Sequence, residues 1–127
     1  MNKHYGTQIL ATDRVRKECR HDFLFRSVDK VLPKGAVNPV NIFELVGALP
    51  GTADANVPEA TEEQLDLCEK WEHVYRLYSE RRWDDLERMV GEFLSEFPTD
   101  PVAAVYAGRT SEYLKNPPGD GWNGVRE

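Results

Sequence analysis

Apolar residues change their spacing once along this chain, near residue 60. Before that point they fall in short runs, and after it they recur every third or fourth residue. Residues 8–11 form a short apolar run, and Thr12 then stands where the N-cap of a helix through Cys19 belongs. Val15 and Cys19, four apart, give that helix a narrow inward stripe. Residues 23–32 and 40–46 are rich in β-branched and aromatic side chains, which suit a pleated, half-buried surface, and they read as strands. Lys34-Gly35 and Asn38-Pro39 punctuate the connection, as a long hairpin requires. Within the first of these strands the apolar residues change face between Phe23/Phe25 and Val28/Leu32, which predicts a bulge near Ser27. Residues 1–49 therefore read as β-α-β-β.

Residues 50–60 carry Pro50-Gly51 and Pro58 among small polar residues, with no hydrophobic period, and read as a linker. Beyond it the pattern is helical through residue 116. Thr61 with Gln64 is a capping-box pair, and Leu65, Cys68, Trp71, Tyr75 and Tyr78 then mark one face of a helix. A break at Arg81-Arg82-Trp83-Asp84 opens a second helix with Leu86, Val90, Phe93 and Phe97 on one side. Asp100-Pro101 supplies an N-cap and an N1 proline for a third, which turns Val102, Val105, Tyr106 and Tyr113 inward. Pro117-Pro118-Gly119 stops it and begins a terminal extension, residues 117–127. The expected class is α+β: a small β-α-β-β sheet followed by a three-helix tail. The linker is long enough for the tail to fold back over the sheet, with Trp71, Tyr75 or Val105 reaching Phe25, Ile42 or Phe43.

Charge divides between the two parts. Residues 1–50 hold 8 Lys/Arg against 5 Asp/Glu, and residues 51–127 hold 8 against 17, so the balance moves from +3 to −9. An acidic helical half argues against a nucleic-acid partner, which needs clustered cations. No apolar run is long enough to span a bilayer, so direct membrane contact by this segment is not expected. Cys19 and Cys68 are the two cysteines; neither belongs to a CxxC pair, and both sit among apolar helical positions, as free thiols in a reducing cytoplasm would.

Several runs carry a family resemblance. Tyr5-Gly6-Thr7-Gln8-Ile9-Leu10, then Phe23-Leu24-Phe25-Arg26-Ser27-Val28-Asp29, then Pro33-Lys34-Gly35, then Pro39-Val40-Asn41-Ile42-Phe43-Glu44-Leu45 stand in order. They resemble the closing segment of a class III adenylate/guanylate cyclase catalytic domain. The helices resemble a tetratricopeptide-type repeat, with Trp83 ahead of the second helix, Leu86, Val90 and Phe93 within it and Pro98 at its end. Leu86 and Phe93 are larger than such repeats favour, and one helix pair plus a helix falls short of the three repeats a solenoid needs. Similar helical tails, ending like Pro117-Pro118 to Trp122-Asn123-Gly124-Val125, follow the catalytic domain in many bacterial cyclases.

The resemblance implies that the parent protein makes cyclic AMP or cyclic GMP from the nucleoside triphosphate, using Mg²⁺ or Mn²⁺ held by two aspartates. It implies a homodimer, a cytoplasmic location, and the rest of the catalytic domain as the first partner. It also places the metal aspartates, the Asn and Arg that act on the transition state and the purine-selecting residues ahead of Asn2. This chain alone is then expected to be inactive, with no catalytic or metal-binding residue of its own. One site residue survives: Lys34 matches a turn lysine that reaches the terminal phosphates, beside a glycine that lets the backbone come close. Pro33 stands where the family has Val, and a solvated turn lysine is the simpler reading of an isolated segment.

Other constellations imply less. His4, His21 and His73 show no metal spacing, and Asp84-Asp85 at a helix start offsets the positive end. Trp71, Tyr75, Tyr78 and Trp83 at helical spacing read as core, and Gly119 and Gly121 precede no helix that could bind phosphate. The alternative function is a non-enzymatic adaptor whose helical tail binds a protein partner. A nucleotide-binding regulator using Lys34 is a third.

Overall fold

A three-stranded antiparallel sheet and four helices form an α+β fold. Strand β1 (Leu10–Thr12) runs straight into helix α1 (Asp13–Cys19), and β2 (Phe23–Val31) and β3 (Val40–Ala48) form a hairpin. Helices α2 (Glu62–Ser79), α3 (Trp83–Glu96) and α4 (Pro101–Lys115) follow. The computed structural model describes residues 9–19, 21–52, 57–119, 121, 122, 124 and 125. His4, Asn123, the Tyr5-Gly6-Thr7 of the first motif and Gln8 of the first expected run lie outside the described residues.

Chain order does not match strand order. The sheet runs β1-β3-β2, so β3 is central and pairs with both neighbours. Leu10, Glu44 and Arg26 stand in one row across the three strands, and Thr12, Ile42 and Asp29 in another.

The expected bulge is present, and it decides what β2 presents. Ser27 pairs with Phe43 and Asp29 with Ile42, which leaves Val28 as the extra residue. Arg26 and Asp29 are three apart, so strict alternation would send them to opposite faces. With one residue inserted, both reach the helices, Arg26 toward Asp100 and Asp29 toward Arg109.

Helices α2 and α4 begin where their caps stand. Thr61 accepts from the Gln64 amide at 3.1 Å while the Gln64 side chain accepts from the Thr61 amide at 2.9 Å. Asp100 accepts from the Ala103 amide at 2.9 Å, and Pro101 occupies the first turn of α4. The inward faces match their expected stripes: Cys68, Trp71 and Tyr78 on α2, Leu86, Val90 and Phe93 on α3, and Val102 and Tyr106 on α4 are buried. Tyr75, Val105 and Tyr113 are half-buried. Trp71 lies at the centre, with the rings of Phe93 and Tyr106 edge-on at 5.2 Å each. Such pairs add about 0.5–1.5 kcal/mol beyond area burial.

Sheet and helices share one core. Val28 and Ile42 belong to the same buried cluster as Trp71, Tyr78, Leu86, Phe93 and Tyr106. The fold-back uses partners other than those expected for Phe43, whose ring lies under the Arg16 guanidinium of α1 at 5.1 Å. The expected inward stripe of α1 is not covered either. Val15 stays 46% exposed and no residue of this seven-residue helix is buried.

The chain after β3 stays bound to it. The Ala48 amide donates to the Pro58 carbonyl at 2.9 Å, and the Ala60 amide donates back to Ala48 at 2.8 Å. Gly47 permits this approach, because a Cβ there would come within 3.0 Å of the Ala60 Cα.

Candidate functional site

Lys34 occupies the tip of the hairpin. The Ala36 amide donates to the Pro33 carbonyl at 3.0 Å, and Gly35 takes φ +83°, which gives the type II turn that wants glycine at its third position. The Lys34 residue is exposed. The turn therefore holds Lys34 in solvent, with open space beside it where a Cβ on Gly35 would stand.

The other residues of the strand motifs are buried under the helices. Arg26 is 3% exposed; its Nη1 and Nη2 donate to Asp100 at 3.0 and 2.7 Å, and its Nε donates to Glu44 at 2.6 Å. Burial works against the charged guanidinium, but Asp100 and Glu44 outweigh it, so its pKa is raised. Arg109 on α4 meets Asp29 in a two-pronged pair, both bonds 3.0 Å, and its pKa is likewise raised against the burial that opposes it. Bidentate geometry of this kind matches the guanidinium fork to the carboxylate.

Between these pairs the backbone groups of the bulge that lack strand partners are satisfied from the helices. Trp71 Nε1 donates to the Ser27 carbonyl at 2.5 Å, and the Tyr106 hydroxyl donates to the Val28 carbonyl at 2.5 Å. The Ser27 amide and hydroxyl both donate to Glu72, at 2.6 and 2.8 Å. A bulged residue leaves ladder groups without strand partners, and these side chains replace them. The cluster is therefore a structural clamp, its cations matched by carboxylates and its carbonyls taken.

The remaining candidates stay apart. Asp85 accepts from Arg82 at 2.5 Å at the start of α3, and Asp84 is exposed beside it. His21 and His73 are exposed on separate elements. Among the described residues no three His, Cys, Asp or Glu converge to hold a metal ion. Cys19 and Cys68 are free, and burial pushes the Cys68 thiol up to about 12. Trp71, Tyr75, Tyr78 and Trp83 form part of the aromatic packing between α2, α3 and α4. Gly119 accepts a hydrogen bond from Arg81 at 3.0 Å through its carbonyl.

Sequence reading singled out Lys34 and missed the clamp as a unit. Its signal was the Arg-x-x-Asp spacing across an expected bulge, which puts two opposite charges on one face of one strand. No family model matches this chain, and neither a curated protein nor a solved structure matches it. No helix of the described residues is long and apolar enough to cross a membrane.

Proposed function

We propose that residues 1–49 are the closing β-α-β-β segment of a class III nucleotide cyclase catalytic domain, buttressed by a tetratricopeptide-like tail, residues 61–116. The parent enzyme converts ATP or GTP to cyclic nucleotide and pyrophosphate in signal transduction. It works in the cytoplasm as a homodimer, with Mg²⁺ or Mn²⁺ held by residues outside this segment. Lys34 contributes a cation toward the terminal phosphates from its exposed turn.

The observation that carries the reading is where apolar surface is left over. Among the described residues the large exposed apolar side chains are Ile9 (53%), Val15 (46%), Leu32 (47%) and Val37 (89%), all in the first segment. The helical tail buries its own stripes completely enough to leave none. In this reading these side chains, and not any of the tail, meet the rest of the catalytic domain.

The adaptor reading has one feature in its favour, a groove of about 210 Å³ between α2 and α3 lined by Val74, Met89 and Phe93. Lys70 donates to Glu96 across it at 2.6 Å, which narrows it against a partner helix. The first reading is therefore preferred.

Its test is a cyclase assay with Mn²⁺ and ATP or GTP. Residues 1–127 alone should give no turnover, and joining them to a preceding segment that carries two aspartates and an Asn-x-x-x-Arg helix should give turnover that falls with Lys34→Ala. Turnover by residues 1–127 alone that survives Lys34→Ala, or none from the joined protein, would refute the reading.

A further inference from the structure

A second cleft lies where the sheet, the end of α2 and the terminal turn meet. It has a volume of about 320 Å³ and is lined by Lys30, Asn41, Tyr78, Ser79, Arg81 and Trp122. Its charge is out of keeping with its surroundings. The half of the chain that supplies most of it carries 17 acidic against 8 basic residues, yet among the described residues no carboxylate lines the cleft. Arg82 next in the chain pairs with Asp85, and Arg109 pairs with Asp29. Lys30 and Arg81 have no such ion pair among the described residues.

Two further features single out this place. Arg81 has φ +59° and is the non-glycine residue with positive φ among the described residues. It sits just past the end of α2, in the helix-ending position where glycine is favoured, so an arginine there needs a reason in its side chain. One N–H of that side chain is used on the Gly119 carbonyl at 3.0 Å, and the rest of the fork remains. On the other wall, Gly124 passes so close to Lys30 that a Cβ would lie 3.0 Å from the Lys30 Cδ, which holds the lysine stem along the cleft. Tyr78, 1% exposed, stands behind the same cleft, packed edge-on against the Trp122 ring at 5.4 Å.

We propose that this cleft binds a small phosphate ester the size of a mononucleotide, its phosphate between Lys30 and Arg81 and its ring or sugar against Trp122. The volume is at the lower end for small-molecule sites, which suits a monophosphate and not a larger cofactor. Arginine and lysine together supply a fork and a point charge for the phosphate oxygens. Ser79 and Asn41 add a hydroxyl and an amide. The inference is independent of the cyclase reading, which uses Lys34 on the hairpin tip.

The test is titration of the 127-residue protein with AMP, ribose 5-phosphate and inorganic phosphate, followed by calorimetry and by amide shifts. AMP should bind with a dissociation constant of about 0.1–1 mM, with shifts at Ser79 to Arg81 and the Trp122 indole. Lys30→Ala and Arg81→Gly should each weaken it about tenfold. Arg81→Gly is the informative variant, since glycine relieves the positive φ and should leave the fold at least as stable while removing the cation. Equal binding of adenosine, binding unaffected by Arg81→Gly, or no saturation by any of the three phosphates up to about 10 mM would overturn the proposal.

Discussion

Asp100 does two jobs with one carboxylate. It caps α4 through the Ala103 amide and it takes two N–H groups of Arg26, a residue 74 positions earlier. Removing it leaves a buried guanidinium with Glu44 alone, and breaking such a pair from one side costs about 3–5 kcal/mol. Asp100→Ala should lose that much in urea unfolding. Asp100→Asn should lose clearly less, because its amide oxygen still caps the helix. Equal losses would mean that the cap adds nothing and that the charge lost from beside Arg26 accounts for the whole effect. A pH effect belongs at this scale too. Burial raises the Cys68 thiol from 9.0 to about 12, and it raises the Tyr75, Tyr78 and Tyr106 hydroxyls above their ordinary 10.0. The folded chain then keeps protons that the unfolded chain gives up, so this stability is whole below about pH 9 and drains away as pH rises toward 12. The urea midpoint should be flat from about pH 7 to 9 and fall above it, with tyrosinate absorbance for these three rings appearing only as the fold is lost. A midpoint that rises with alkali would contradict the assignment.

At the scale of elements, the bulge in β2 is the feature on which most else depends. It was legible in the sequence because the apolar phase breaks between Phe25 and Val28, and the caps at Thr61 and Asp100 were legible because their partners lie three residues away. The strand order was not. Periodicity tells which face a residue occupies and says nothing of which strand lies beside it. The partners of Arg26 and Asp29 were hidden for a similar reason, since they stand 74 and 80 residues away and no local spacing points to them. The α1 stripe misled because two apolar residues in seven do not bury a helix that short. Deleting Val28 should restore strict alternation, turn Asp29 away from Arg109 and leave the bond from Tyr106 without its carbonyl. Its loss of stability should exceed that of Asp29→Ala, and a deletion variant as stable as the parent chain would show that the bulge is incidental. Thr61→Ala, by contrast, should cost only about 1 kcal/mol, as a cap at a helix end away from the core does.

For the whole molecule, the sheet and the helical tail are bound by Trp71, Tyr106, Glu72, Arg109 and Asp100 all bearing on residues 26–29. This goes further than a tail resting on a sheet. A strand whose backbone bonds end on helices opens only when those helices open. The same contacts leave the hairpin tip with Lys34 and the apolar groups of the first segment on the outside, where the proposed catalytic domain would meet them. The account therefore requires one cooperative unit. Native-state hydrogen exchange measures this directly, residue by residue, on the 127-residue chain. Amides of β2 and β3 around Val28 and Ile42 should open with the same free energy as those of α2 and α4 around Trp71 and Tyr106. Sheet amides that exchange through a separate, cheaper opening while the helices stay protected would contradict it.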